Sequence, residues 1–329
     1  MRPAAMIGSL AFALALASVA AGEPLDRWDR ARDPGAERRE QTLADALALF
    51  DQARVTRREG QRKELFRNAR SLLEAIDAEH SPDLRLRFAL GEAVHRLDDD
   101  ARTIAILAPV VALAPDHPEA VHAFVSLGVA YARTNRSADE IRAYDSVLSN
   151  AGELRVLILG NRAEAKSRIG DFAGAIADYE AAMKLQPNQP GAFWGLALTL
   201  DRTGDFGRAL VVVKEAHDID AQSPRRAYLD DDNVFFVPAY EKEWYLALEQ
   251  AMLGAQADRH LGDRRESWQT AKAHWDTFVA RATKDDRWLP LARARSKQCD
   301  AAIARLDREI KRAPPPRREG PPPSFLPPR

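Results

Sequence analysis

The stretch "GDFAGAIADYEAAMKLQP", Gly170 to Pro187, holds a turn glycine, a helix with small residues on one side and aromatics on another, and a proline stop. Its pattern returns further along the chain. Ala175, Tyr179 and Ala182 are followed 34 residues later by Ala209, Val213 and Ala216, and "GDFAGA" at Gly170 by "GDFGRA" at Gly204. A helix that recurs at a fixed interval packs against copies of its own hairpin, and such a chain grows by stacking.

Four units share this interval: 84–117, 121–154, 156–189 and 190–223. Position 8 of each is Gly91, Gly128, Ala163 and Ala197; position 20 is Thr103, Glu140, Ala175 and Ala209; position 24 is Leu107, Tyr144, Tyr179 and Val213. The period and these residue types resemble the tetratricopeptide repeat. The resemblance covers residues 84–223 and implies an all-α fold, a right-handed superhelical solenoid of stacked helix-turn-helix repeats.

Small residues at positions 8 and 20 let two helices approach closely, and larger ones around them each contribute about 1.5–3 kcal/mol when fully buried. Gly170 and Gly204 are placed to end first helices in the left-handed conformation, as is Asn135. Pro115 and Pro187 end second helices. Several residues depart from the pattern. Thr103 and Glu140 are not small, Arg162 and Lys166 replace apolar residues, with Lys166 expected on the surface, and Pro109 is expected to kink its helix.

The flanks are less regular. Residues 42–79 read as a helical cap or degenerate repeat broken near Gly60, and 22–41 as a linker. A weak fifth repeat is expected at 248–281, with Gly254-Ala255 at positions 7 and 8 and Gly262-Asp263 at its turn, and a capping helix at 287–311. Residues 224–247 read as an irregular insertion and the start of a helix, "VFFV" being too apolar to hang in solvent and Pro238 opposing continuous helix. It reads as a loop pinned over the scaffold or as a lid in its groove. Residues 312–329 are too proline-rich for a core and read as a disordered tail.

The opening residues 1–21 have one charge, Arg2, then an apolar run ending in small residues, the pattern of a secretion signal cleaved near Ala20 or Ala21. The run is short for a membrane span. The expected location is therefore periplasmic or extracellular, in a bacterial cell envelope, with no integral span in the mature chain. Cys299 is the single cysteine, so no intramolecular disulfide forms, and its helical setting reads as structural.

The 48 basic and 49 acidic residues nearly cancel, so no overall field draws the chain to nucleic acid or an anionic membrane, although a basic stripe can hide within that balance. No nucleotide-binding glycine loop, "GxSxG" or "HExxH" is present. His117 and His122 are spaced for neither one helical face nor a metal pair, and no cofactor or metal is expected. Asp230-Asp231-Asp232 matches no calcium loop and reads as a solvated acidic turn, or as an internal competitor for the groove.

The resemblance implies a non-enzymatic scaffold whose first helices line a groove for a protein or peptide. Position 13 holds Arg96, Arg133, Arg168 and Arg202, with His260 in the fifth unit, a column suited to acidic ligands or a free carboxylate. Phe88, Val125 and Trp194 at position 5 add apolar contacts or pack internally. The family's carboxylate clamp needs asparagine at position 9, where this chain has Glu92, Val129, Glu164 and Leu198, so the clamp is not carried over. The column also has a purely structural reading, since cations near helix C-termini favour the helix dipole. The alternative function is an enzyme or ligand-binding protein with its site in 224–311.

Overall fold

The computed structural model describes residues 33, 35–222, 227–230, 234 and 236–313. The signal, most of the linker, Asp231-Asp232 and the tail from residue 314 lie outside the described residues. Among the described residues there are thirteen α-helices and no strand. The chain divides into two compact units, one ending at Ala239 and the other starting at Tyr240.

The first unit is a run of helical hairpins: α1 (Ala36–Val55) with α2 (Glu59–Glu74), α3 (Leu84–His95) with α4 (Asp100–Leu113), α5 (Ala120–Arg133) with α6 (Ser137–Val147), α7 (Arg155–Ile169) with α8 (Phe172–Leu185), and α9 (Pro190–Arg202) with α10 (Phe206–Ala221). Each helix packs on the next in sequence. The first helices also touch one another in order, α1 on α3, α3 on α5, α5 on α7 and α7 on α9, in one continuous row.

Local chemistry fixes the four turns in the same way. Position 15 is left-handed in every unit: Asp98 (φ 61°), Asn135 (56°), Gly170 (92°) and Gly204 (95°). The next amide then reaches back to close the preceding helix, as in Arg136 N to Tyr131 O at 2.8 Å and Asp205 N to Leu200 O at 2.9 Å. In three units that same residue caps the following helix. Asp99, Asp171 and Asp205 accept from the amides of Arg102, Gly174 and Arg208 at 3.1, 2.9 and 3.1 Å. The α4 helix runs through Pro109 without a break.

The close approach falls between positions 8 and 24. A Cβ added to Gly91 would stand 2.1 Å from Leu107, and one added to Gly128 would stand 2.3 Å from the Tyr144 ring. Tyr179 uses a different glycine, Gly195 of the next unit, at 2.3 Å. Position 24 thus packs either inside its hairpin or across the junction. At the amino end, Leu43, Phe50, Phe66 and Leu73 share one buried cluster with Leu86 and Leu90, which joins the α1–α2 hairpin to the first repeat.

Gly160 differs from these glycines. It sits inside α7, yet nothing lies within 4 Å of the Cβ it lacks. Gly128→Ala should therefore cost about 1–3 kcal/mol through overpacking against Tyr144. Gly160→Ala should stabilise by about 0.5–1 kcal/mol, because alanine restrains the unfolded chain without meeting a neighbour. Urea melts of both variants check this, and equal shifts would contradict the assigned contact.

The second unit contains α11 (Lys242–Ala255), α12 (Leu261–Arg281) and α13 (Leu289–Arg312). Its centre is aromatic: Trp244 meets Trp275 and Phe278 edge-on at 4.8 and 4.9 Å, and Trp288 at 6.2 Å. The register of a fifth repeat beginning at 248 is not found here. The turn lies at 256–260, and Gly262-Asp263 falls in the first turn of α12. The physical reason is that α11 begins at Lys242 and ends at Ala255, where Gln256 becomes extended. Gly254 therefore sits near the end of α11, where an added Cβ would be 2.6 Å from Trp268. Cys299 is buried, and burial pushes its thiol up to about 12, which leaves it unreactive at neutral pH.

Candidate functional site

The four position-13 arginines all lie at the carboxyl ends of the first helices and have partners within the fold. The Arg96 guanidinium donates to Glu92, whose other oxygen accepts from Ser126 Oγ of α5 at 3.2 Å. Arg133 donates to Asp98 Oδ1 at 2.9 Å and stands 3.6 Å from Asp100. Asp98 in turn accepts from Lys63 of α2 at 2.8 Å. Arg168 donates to Glu164 at 2.9 Å, to Ser137 Oγ at 3.2 Å, and to Glu140. Arg202 is half-buried.

Arg168 accounts for one departure from the repeat pattern. Glu140 occupies the small-residue position 20 of the second unit and is buried, with the Arg168 guanidinium of the next unit held against it. Burial lifts the Glu140 carboxyl to about 8 even with Arg168 opposing. Burial also works against the Arg168 charge, but Glu164 and Glu140 outweigh it and raise the group. Residues 28 apart compensate each other, a signal that a position-by-position reading treats as noise.

A second compensation corrects the expectation for Lys166. Its side chain is only 17% exposed and lies on Asp178 at 2.8 Å. Arg162 joins it from one turn earlier, with Nη2 2.6 Å from Asp178 Oδ1 and Nη1 2.5 Å from Asp145. Two cations of α7 thus converge on one buried carboxylate of α8, and an apolar position becomes a polar cluster.

Phe88 is fully buried and stacks on the His117 ring at 4.7 Å. Trp194 is buried, and its Nε1 donates to Asp220 at 3.2 Å. Neither ring offers surface to a ligand. Asp220 also accepts from the amide of Tyr228 at 3.1 Å, and the Tyr228 ring stands 3.0 Å from the Cβ position of Gly191. Tyr228 of the insertion is therefore pinned on α9 and α10. Of the arginines in the column, Arg133 keeps a side chain 28% exposed, against 13% for Arg96 and 16% for Arg168.

Between the first two repeats lies a group to which the repeat pattern assigns no role. Glu119 caps the start of α5 by position, is fully buried, and has no hydrogen-bond partner for either carboxylate oxygen. Its own amide donates to His117 Nδ1 at 3.1 Å. Burial, with Glu92 adding to it, raises the Glu119 carboxyl to about 7. Buried His95 is lowered to about 4 by burial, with Glu92 opposing. Among the described residues no group of three or more His, Cys, Asp or Glu side chains is arranged to hold a metal ion.

No protein-family model and no curated protein matches the sequence. Solved structures do show likeness. The structure described as MamA AMB-1 is 22% identical, with 56% of this chain and 98% of that chain covered and a TM-score of 0.46. Another, described as a crystal structure of MamA protein, is 17% identical, covering 55% of this chain and 93% of that one, with a TM-score of 0.45. A tetratricopeptide repeat protein from Parabacteroides merdae is 11% identical, covering 85% of this chain and 89% of that one, with a TM-score of 0.45. The class rests on the chain's own architecture: consecutive helical hairpins near a 34-residue pitch, closed at glycine and alanine, make the fold tetratricopeptide-like.

Proposed function

We propose that the protein is an exported scaffold of a bacterial cell envelope, periplasmic or secreted, that binds another protein or a peptide along the row of first helices. The observation that carries this reading is the row itself, in which α1, α3, α5, α7 and α9 touch in order and present successive equivalent positions to one extended partner. Export rests on the sequence alone, on the apolar run that ends in small residues near Ala21. Among the described residues no helix is long and apolar enough to cross a membrane.

The column's contribution centres on Arg133. An acidic ligand competes with Asp98 and Asp100 for its guanidinium, and Lys63 remains to hold Asp98 when Arg133 turns outward. The open space in front of Gly160 lies on the same row of helices and admits a close approach to the α7 backbone.

The test is capture of a partner from envelope extract, followed by calorimetry with that partner. Arg133→Gln should weaken binding about fivefold and cost at most about 1 kcal/mol of stability, because the residue's pairs are half-exposed. Wild-type affinity should fall as salt rises. Unchanged affinity in the variant would remove the arginine column from the binding face. Failure of residues 84–223 to carry the binding would remove the row.

A further inference from the structure

The chain is electrically divided: 30 basic and 36 acidic residues precede Tyr240, whereas 18 basic and 13 acidic residues follow from it. The excess is concentrated on α13. Arg293, Lys297, Arg308, Lys311 and Arg312 are all exposed, and none of the five has an ion-pair partner among the described residues. At about 100° per residue they fall within one stripe about 100° wide, running about 28 Å along the helix. Ala301 and Ala304 fill the middle of that stripe and are also exposed. Asp300 stands at its edge and already faces Lys272 at 3.9 Å.

We propose that this stripe docks the protein on an anionic lipid surface. Helix stability does not explain it. Lys311 and Arg312 sit in the last turn, where cations favour the dipole, but Arg293 and Lys297 sit near the opposite end, and the first turn has no acidic residue. A straight row of cations matches a flat array of phosphates, and the small alanines between them let the helix approach without a protruding side chain. A protein partner would be expected to find an aromatic or large apolar anchor, and the stripe has none. Binding would be peripheral rather than inserted, because Leu289, Ala292, Cys299 and Leu306 on the other side of α13 are buried within the protein. The sequence beyond adds Arg317, Arg318 and Arg329. The inference stands on α13 alone and is independent of what the first helices bind.

Each cation near an anionic bilayer is worth about a fivefold change in partitioning, so the five together favour charged over neutral lipid about three-thousandfold at low salt. The experiment uses the full chain with two kinds of vesicle, phosphatidylcholine alone and phosphatidylcholine with phosphatidylglycerol. The quantity read is the ratio of the two partition coefficients, which cancels any contribution of the apolar run at the amino end.

The expected result is a large ratio that collapses in high salt. In Lys297→Gln/Arg308→Gln/Lys311→Gln the ratio should fall about a hundredfold with an unchanged melting curve. Lys297→Arg/Lys311→Arg should retain it. A ratio near one in the wild type overturns the proposal. So does a triple variant that binds like the wild type. Stronger capture by a polyglutamate peptide or a short DNA duplex than by vesicles, lost in the triple variant, also overturns it and reassigns the stripe to an acidic polymer.

Discussion

Replacing Arg168 with glutamine should destabilise the protein by about 1–3 kcal/mol at neutral pH, because it takes from the buried Glu140 carboxyl the guanidinium that hydrogen-bonds to it. Glutamine keeps much of the volume, so the loss reports the polar contact rather than packing. Adding Glu140→Gln should recover at least half of it, since two neutral amides can pair with each other. The deficit of the single variant should grow as the pH rises through about 8, where Arg168 is what lets Glu140 ionise. Urea melts of both variants at two pH values check this. If the single and double variants differ by less than about 0.5 kcal/mol, Arg168 is not the counter-charge of Glu140. The result also bears on the groove: an arginine that holds the third and fourth hairpins together is poorly placed to bind a ligand, and a binding test should leave it intact.

The pH dependence of stability should split when Glu119 and His95 are changed separately. The Glu119 carboxyl is raised in the folded state to about 7. Its protonated form therefore stabilises fully below the unfolded value, and the contribution is lost as pH rises from about 4.5 to 7. Buried His95 is lowered to about 4, so its contribution runs the other way and is lost as pH falls from about 6.5 to 4. In the wild type these two slopes oppose each other between about pH 4.5 and 6.5 and nearly cancel, which leaves the downward slope of the raised Glu140 carboxyl. Glu119→Gln should expose the histidine slope, so that the variant gains on the order of 3 kcal/mol relative to wild type between pH 4.5 and 7.5. His95→Gln should do the reverse, with stability falling steadily up to neutrality. Denaturant melts across this range decide the matter. Parallel curves for Glu119→Gln and wild type would show that the carboxylate reaches water or a partner.

The hairpin stack was legible because it rests on residues that only one geometry suits. Gly91 and Gly128 mark close contacts, and Asn135, Gly170 and Gly204 mark left-handed turns. Asp98 fills the same turn position in the first unit but escaped notice, since aspartate tolerates that conformation without advertising it. The register after residue 240 was not legible. A Gly-Asp pair opens a turn in units three and four, and nothing local distinguishes it from Gly262-Asp263, which lies inside α12. The difference is set upstream, by where α11 starts. The polar positions Glu140, Arg162 and Lys166 were visible as departures, but their meaning depends on partners 12 to 28 residues away. The candidate groove suffered from the same blindness. Spacing placed Phe88 and Trp194 on the first helices correctly, but burial against His117 and Asp220 is a tertiary fact.

Asp98 carries a consequence for how the protein comes apart. Its carboxylate is shared by Lys63 of the hairpin before it and Arg133 of the hairpin after it, so one turn residue fastens three consecutive hairpins. A solenoid whose repeats sense only their immediate neighbours can fray one hairpin at a time. A shared carboxylate makes the loss of either neighbour weaken the hold on the other. The amino-terminal hairpins should then open as one cooperative block, with similar hydrogen-exchange protection, while α9 and α10, outside that clamp, report their own local stability.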